Sequence, residues 1–244
     1  MIFSQLEGMA VREERDALIL SFPRPLPTLS WAVLNGGFCH ANHVVNHHVD
    51  SNDAGFAADP EGWLRKRLDS LDLEGKTVVM ATGVEMSELI QVSFSDDARE
   101  VVCFVTVGCG NALSVGDEAS FPEDRVVSPH TINMILLVYP GLRQEAMVEA
   151  VQIATEGRVR ALYENGIKST QSSLPATGTG TDCIAIASFG RWPGTLLRQA
   201  HQAGRAHRPG GLHRYQERTR TRMDNGRREA GRQIQWRMKV CLQK

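Results

Sequence analysis

The sequence lacks any continuous apolar segment long enough to cross a bilayer. Apolar runs such as MILLVY, residues 134–139, are far shorter than the roughly 20 residues of a transmembrane helix. The amino terminus also lacks a basic stretch followed by a continuous apolar one, so no signal peptide is predicted. We therefore expect a soluble protein of the cytoplasm.

Cysteine is scarce and scattered. The chain has five cysteines, at positions 39, 103, 109, 183 and 241, and none of them forms a CxxC pair. An odd number without close spacing argues against both a disulfide framework and a zinc ribbon. Reduced and mostly buried thiols are the expectation.

The whole chain is nearly neutral, but acidic residues dominate its first part and basic residues dominate its last part. Through Trp192 there are 14 Lys and Arg against 25 Asp and Glu, whereas residues 193–244 hold 13 against 3. Few aliphatic residues interrupt this second part, so it is poorly suited to a core. We predict one domain over residues 1–192 and an Arg-rich tail over residues 193–244.

Short apolar segments bounded by turn-forming residues predict a sheet in the first part. Seven strands are predicted, at residues 16–22, 29–34, 77–82, 89–94, 101–107, 132–139 and 183–189. Apolar residues at helical spacing predict one helix over 143–165 and a second over 60–71 with Asp59 as its cap. We expect an α+β fold, with a single layered domain whose mixed or largely antiparallel sheet is covered by helices.

The segment LNGGFCHANHVVNHHVD concentrates amides and imidazoles. It contains Asn35, Asn42, Asn46, His40, His43, His47 and His48. Imidazole is a common metal ligand, but no HExxH pattern accompanies these histidines. Two other interpretations carry equal weight: a polar loop turned by Gly36 and Gly37, and a substrate-binding segment.

The segment ATGTGTD, residues 176–182, lacks the features of a phosphate-binding P-loop. No lysine follows its last glycine, and the next segment, CIAIASF, has the pattern of a strand rather than a helix. Its hydroxyl and backbone N–H groups are suited to an oxyanion or an amide carbonyl. Asp182 is placed to orient a hydroxyl or a histidine, or to act as a base.

Two other turns carry amide and hydroxyl side chains at strand ends. TVGCGNA leads to Asn111, and SPHTIN places Thr131 and Asn133 at the start of a strand. Either turn is explained equally well by hydrogen bonds to its own backbone. Glu156 lies one helical turn before Arg160, where a solvated ion pair is the simplest account.

Six segments follow one another in the order NGGF, NHHVD, TVGCGNA, HTINMILLV, EAVQIATEGRVRAL and ATGTGTDCIAIA. This series resembles the CbiZ-type adenosylcobinamide amidohydrolases, and the resemblance extends from about residue 30 to residue 192. The resemblance implies hydrolysis of the amide that joins aminopropanol to the corrin ring, which releases adenosylcobyric acid for coenzyme B12 synthesis. The cobalt corrinoid is then the substrate, and neither a cofactor, a metal, a membrane nor a nucleic-acid partner is predicted.

For such a reaction we predict a site from these segments. The catalytic residues are predicted to be Asp182, Thr179 and His43. The predicted substrate-binding residues are Asn35, Gly36, Gly37, Asn42, Asn111, Thr131, Asn133, Thr177, Gly178, Gly180 and Thr181. The segment TEGRVRAL departs from the TEAK-like segment of the family, and Gly157 and Arg158 therefore put any role of that helical turn in doubt.

The tail has two interpretations. Clustered arginines are typical of nucleic-acid binding. Alternatively, the reading frame of the gene is altered near residues 194–199. Codons can be chosen for residues 201–217 that encode TKLGELIGRAVYTAIR when they are read one base later. That peptide resembles the carboxyl-terminal end of the family. Resequencing decides between them. Two other functions stay open: a noncatalytic or degenerate corrinoid-binding protein, and a metal-dependent hydrolase of another substrate.

Overall fold

The computed structural model describes residues 6–50, 52–95, 98–118 and 130–191. The helices are α1 (Ala54–Ala58), α2 (Pro60–Asp69) and α3 (Gln144–Glu164), and a 3-10 turn covers Met86–Glu88. The strands are β1 (Ala10–Glu13), β2 (Ala17–Ser30), β3 (Gly37–His48), β4 (Thr77–Thr82), β5 (Ile90–Ser95), β6 (Glu100–Val107), β7 (Ala112–Leu113), β8 (Ile132–Tyr139), β9 (Gly178–Thr179) and β10 (Cys183–Ser188). Within these ranges, none of the helices combines the length and the apolar content that a membrane span requires. The predicted tail, residues 193–244, lies outside the described residues.

Most strands form one mixed sheet in the order β4-β3-β2-β10-β8-β6-β5, and β1 pairs with β2. The pairs β3–β4 and β8–β10 are parallel, whereas β2–β3, β2–β10, β5–β6 and β6–β8 are antiparallel. Strands β7 and β9 form a separate two-stranded sheet. This architecture confirms the predicted α+β class.

Two parts of the large sheet enclose a common apolar interior. Val44 of β3, Val78 of β4 and Phe104 of β6 belong to the same buried cluster, although β6 is far from the neighbouring pair β3–β4 in the sheet order. Successive side chains of a strand point to opposite faces. Val45 therefore points outward, where it packs with Leu64 of α2.

Helix α3 covers the other outer face. Its buried stripe includes Met147 and Ala154, which pack with Met134 of β8 and Ile184 of β10. The layers therefore run from α2 through the two parts of the sheet to α3. Both predicted helices are confirmed, and Asp59 caps α2 as predicted by accepting a hydrogen bond from the Gly62 N–H at 2.9 Å.

The interpretation of residues 35–50 as a polar loop was wrong. Most of this segment is β3, a long strand that pairs with both β2 and β4. Its polar residues occupy positions on both faces, which conceals the alternation that normally identifies a strand. In addition, the predicted strand 16–22 continues to Ser30 as one long strand, β2, whose register shifts between Ser21 and Leu26. The predicted strand 29–34 was therefore wrong beyond its first two residues, because β2 ends at Ser30.

Gly157 lies inside α3, and a methyl group at its Cα would meet no atom within 4 Å. We expect Gly157→Ala to stabilise the fold by about 0.5–1 kcal/mol, because alanine loses less backbone entropy in a helix. Urea unfolding followed by circular dichroism measures the difference. A variant that is less stable than the parent would show that the Gly157 position is sterically constrained.

Candidate active site

Two of the predicted segments form a small ribbon at one end of the large sheet. In it, Ala112 pairs with Thr179 and Leu113 with Gly178. The ribbon continues where the Thr177 N–H donates to the Leu113 carbonyl at 2.9 Å and the Thr177 hydroxyl accepts from the Val115 N–H at 2.9 Å. The structure therefore brings TVGCGNA and ATGTGTD into direct contact.

The carboxylate of Asp182 joins this ribbon to β8 and α3. It accepts hydrogen bonds from the Thr179 N–H at 2.7 Å, the Thr179 hydroxyl at 2.5 Å and the Ile132 N–H at 2.9 Å. It also forms an ion pair with Arg158 of α3 at 2.9 Å, and both side chains are buried, with 7% and 11% exposure. We call these four residues the Asp182 clamp.

The contacts of the clamp favour an anchoring role for Asp182 over the predicted role as a base. Three hydrogen bonds and a guanidinium already engage its two oxygens. The Thr179 N–H is likewise directed at Asp182 rather than at a ligand. Gly178 is required here, because a Cβ atom would collide with the Asp182 carboxylate and approach Arg158. Gly180 and Thr181 are exposed at the tip of the turn.

A second polar group lies on the inner face of the sheet. The Asn133 side-chain amide donates to the Asn46 Oδ1 atom and to the Ala81 carbonyl, both at 2.8 Å. The Asn46 amide in turn donates to the Thr106 hydroxyl at 3.1 Å, which is 3.5 Å from that of Thr82. We call Asn46, Thr82, Thr106 and Asn133 the amide cluster. Each is at most 2% exposed.

Ile132 connects the two groups. Its N–H belongs to the Asp182 clamp, while the next residue, Asn133, points into the amide cluster. Thr131 is also buried, and its hydroxyl lies 3.4 Å from the Asn133 Oδ1 atom. Because neighbouring strand side chains face opposite sides, Asn133 lies on the inner face of β8, whereas the clamp engages the Ile132 backbone and extends through Arg158 to α3 on the outer side.

The predicted residues of the NGGF segment stabilise the local backbone. Asn35 has a positive φ of 58° and donates to the Thr77 carbonyl at 2.7 Å. Gly36 approaches the backbone of Ala32 too closely for a Cβ atom, and Gly37 has a φ of 90°. These contacts explain the residue types at positions 35–37 without a ligand.

Asn42 also binds backbone. Its Oδ1 atom accepts from the Lys76 N–H at 3.0 Å, and a Cβ atom on Gly75, whose φ is 89°, would collide with its amide. This amide therefore fixes the turn that leads into β4.

The histidines of β3 differ in how their ring nitrogens are used. Both nitrogens of His43 have partners, the Ser21 hydroxyl at 2.9 Å and the Glu74 carbonyl at 2.8 Å. His47 packs edge-on against Trp63, and burial lowers its pKa. His40 is exposed. His48 lies on the same face of the strand as Asn46.

The turn after β6 contributes an unpaired acceptor. The Asn111 Oδ1 atom is buried and has no hydrogen-bond partner among the described residues. A Cβ atom on Gly110 would collide with the ring of His130, so that ring lies directly against the turn. A buried acceptor without a donor is costly, so a ligand amide is a suitable partner for Asn111.

Apolar surface is exposed beside the clamp. Trp31, Val33 and Phe38 are 49%, 46% and 41% exposed. The indole of Trp31 is held in place by a hydrogen bond of 2.6 Å from its Nε1 atom to the Asp182 carbonyl. The three side chains come from residues 31–38, a short segment that starts at the clamp, and exposed apolar side chains of this size are available to contact a ligand.

The thiols near the site are poor nucleophiles, because burial raises the pKa of Cys103, Cys109 and Cys183 to about 12. We expect iodoacetamide to leave these thiols and the activity unchanged at pH 8. Peptide mass mapping before and after unfolding measures the labelling. Inactivation in step with the alkylation of Cys109 or Cys183 would contradict this prediction.

Part of the predicted site is brought together: Asn111, Thr131, Asn133 and residues 177–182. The other predicted residues lie apart from this group and contact the chain around β3: His43, Asn35, Gly36, Gly37 and Asn42. Within the described residues, no group of three or more His, Cys, Asp and Glu side chains is arranged to hold a metal ion.

Sequence reasoning missed two parts of this arrangement. The departure of its segment from the family pattern put Arg158 in doubt, although Arg158 is the partner of Asp182. Thr82 and Thr106 gave no signal because each is a lone hydroxyl residue near the end of a mainly apolar strand, where threonine is common. A polar residue on the inward-facing positions of such strands was the available clue.

Comparison with known proteins identifies a family. Residues 2–212 match the family model described as CbiZ, adenosylcobinamide amidohydrolase. An adenosylcobinamide amidohydrolase of Methanosarcina mazei is 28% identical over 63% of this chain and 66% of its own length. A protein of Methanocaldococcus jannaschii described as uncharacterized is 29% identical over 75% of this chain and 76% of its own length.

Solved structures show only a distant likeness. A β-aminopeptidase of a Burkholderia species has a TM-score of 0.36 and 13% identity, and covers 95% of this chain and 79% of its own. The PH0078 protein of Pyrococcus horikoshii has a TM-score of 0.32 and 8% identity, with 78% and 74% covered. Likeness at this level supports no argument about function.

Proposed function

Because the chain belongs to the adenosylcobinamide amidohydrolase family, we propose that it hydrolyses the amide between aminopropanol and the corrin ring of adenosylcobinamide. The products are adenosylcobyric acid and aminopropanol. Such a reaction returns an incomplete corrinoid to coenzyme B12 synthesis, which is the salvage role that we propose for this protein.

The observation that carries this proposal is the extent of the family match. Residues 2–212 include every residue of the Asp182 clamp and of the amide cluster. The match also begins before and ends beyond the segment of residues 30–192 on which the sequence resemblance rests.

The chemistry of the surface fits a corrinoid. Such a substrate is a broad ring with largely apolar faces, edged by amide side chains. The exposed side chains of Trp31, Val33 and Phe38 offer apolar contact, and the buried Asn111 Oδ1 atom, unpaired among the described residues, is an acceptor that an amide N–H would satisfy. Binding sites that combine apolar surface with a few placed polar groups are usual for large ligands.

The direct test is incubation of the purified protein with adenosylcobinamide in water enriched in oxygen-18. We expect free aminopropanol and an acid that carries one heavy oxygen atom, because hydrolysis places the oxygen of water on the carbonyl carbon. Mass spectrometry measures both products, and a heat-inactivated sample is the control.

Two results would contradict the proposal. A change in the corrinoid absorption spectrum without released aminopropanol would indicate a noncatalytic corrinoid-binding protein. Activity toward other amides alone, lost on chelation and restored by a divalent metal, would indicate a metal-dependent hydrolase of another substrate. The assay is run with the Arg-rich tail and with the frame-restored tail, because the altered-frame prediction expects activity to rise with the second.

A further inference from the structure

Among the residues that the structure describes, one ring nitrogen of His48 has no hydrogen-bond acceptor within bonding distance. Its Nδ1 atom lies 3.3 Å from the Val84 carbonyl, and its Nε2 atom lies 3.9 Å from the Glu85 carboxylate. A carbonyl only accepts hydrogen bonds, so Nδ1 carries the proton and Nε2 of the neutral ring keeps its lone pair. The side chain is 17% exposed, which leaves an approach from solvent.

His43 offers no such nitrogen. Its Nε2 atom is 2.8 Å from the Glu74 carbonyl and must donate a proton there, while its Nδ1 atom is engaged with the Ser21 hydroxyl at 2.9 Å. Of these two histidines, His48 alone is therefore arranged to take a proton from a ligand.

His48 also lies close to the amide cluster along β3. It follows Asn46 by two residues on β3, so the two side chains share a face and their Cα atoms are about 7 Å apart. Val84, which receives its Nδ1–H, packs against the Gly108 turn, as does the backbone of His130. His48 therefore stands between exposed surface and the buried amides of the candidate site.

We propose that His48 is the proton-transfer residue of the amide hydrolysis and that Glu85 is a positioning residue for it. This inference rests on the proposed function, which does not itself assign a base. A carboxylate 3.9 Å from Nε2 attracts the imidazolium cation that forms during the reaction, and the Val84 carbonyl keeps the ring in the correct tautomer.

The proton balance is complete with water as the other reactant. The Nε2 lone pair of His48 takes a proton from water as the water oxygen bonds to the amide carbon. The same proton then passes to the amide nitrogen as the carbon–nitrogen bond breaks. The products are a carboxylic acid, an amine and neutral His48, so no further reactant is needed.

The test compares histidine variants in the full chain. We expect His48→Gln to lower kcat at least 100-fold, with KM changed less than three-fold, because general base catalysis contributes about 10²–10⁴-fold. The matched control is His40→Gln, since His40 is exposed on the same strand. His48→Ala is expected to regain at least ten-fold activity in 100 mM imidazole, a recovery that a purely structural role would not produce.

Glu85→Gln gives a second and independent measurement. The Glu85 side chain is 68% exposed, so its replacement does not disturb the core. We expect kcat to fall about two- to five-fold without a change in the melting temperature, as the loss of a largely exposed ion-pair partner predicts. This variant decides the question if both His48 variants fail to fold.

The outcomes separate this inference from the proposed function. A wild-type protein that does not release aminopropanol overturns the proposed function, and the role of His48 with it. An active wild type with a folded, fully active His48→Gln overturns the role of His48 alone. That role is also overturned if His130→Gln, rather than His48→Gln, abolishes turnover, or if kcat of Glu85→Gln is unchanged when the His48 variants do not fold.

Discussion

Asp182→Ala is expected to destabilise the fold by about 3–5 kcal/mol, the usual cost of removing one partner of a buried ion pair. Arg158 would keep its charge at a side chain that is only 11% exposed. The N–H groups of Thr179 and Ile132 would also lose their acceptor. We expect the ribbon of β7 and β9 to separate from β8 and the amidohydrolase activity to be lost.

Urea unfolding measures the loss of stability of Asp182→Ala. The same measurement on Arg158→Met tests the other partner of the ion pair, with Arg160→Met as its matched control. Both arginines lie on α3 and both have an acidic partner, but the Arg160 pair with Glu164 is exposed. Exposed pairs contribute about 0–1 kcal/mol, so Arg160→Met is expected to change stability little. Arg158→Met is expected to cost several times more.

The variant Asp182→Asn separates anchoring from catalysis. An amide keeps the shape of the carboxylate but supplies one acceptor oxygen instead of two. If Asp182 anchors the ribbon, the folded fraction of Asp182→Asn retains measurable turnover. If Asp182 is the base, a well-folded Asp182→Asn would be inactive, and this result would contradict the role of His48.

The sequence predicted contacts between segments better than the roles of single residues. Repeated glycine and threonine at positions 177–181, followed by a strand, predicted a binding surface in one site with TVGCGNA, and the two segments do pair through β7 and β9. Which atoms the Asp182 carboxylate contacts could not be read from this pattern, because Arg158 and Ile132 come from distant parts of the chain.

The sequence prediction named His43 rather than His48 as a catalytic histidine, and it lacked a basis for this choice for a related reason. Spacing alone treats His43 and His48 as equivalent polar residues. Their environments are set by the partners of the strand, which are Ser21 and the Glu74 carbonyl for one and the Val84 carbonyl and Glu85 for the other. Hydrogen bonding and neighbouring charge decide whether an imidazole can transfer a proton.

Asn133→Leu is expected to destabilise the fold by about 2–4 kcal/mol and to abolish activity. Leucine has a similar volume, but it leaves the Asn46 Oδ1 atom and the Ala81 carbonyl buried without the donor that each has now. Each unsatisfied buried group costs about 1–3 kcal/mol. Thermal unfolding and the aminopropanol assay measure the two effects.

Asn46→Leu with Asn133→Leu completes a double-mutant cycle. Replacing both partners of a buried hydrogen bond with apolar groups is often nearly neutral, so we expect the double variant to recover part of the lost stability. The inner face would then be more uniformly apolar, as it already is around Phe104 and Ile135.

Stability and activity should therefore separate in the double variant. A pair of asparagines kept only for folding would let activity return with the recovered stability. A pair that positions β3 and β8 for the reaction would leave a folded protein without turnover, because the face that His48 shares with Asn46 would no longer be polar. We expect a folded protein without turnover. The Asn46–Asn133 hydrogen bond of 2.8 Å links β3, which carries His48, to β8, whose Ile132 N–H belongs to the Asp182 clamp.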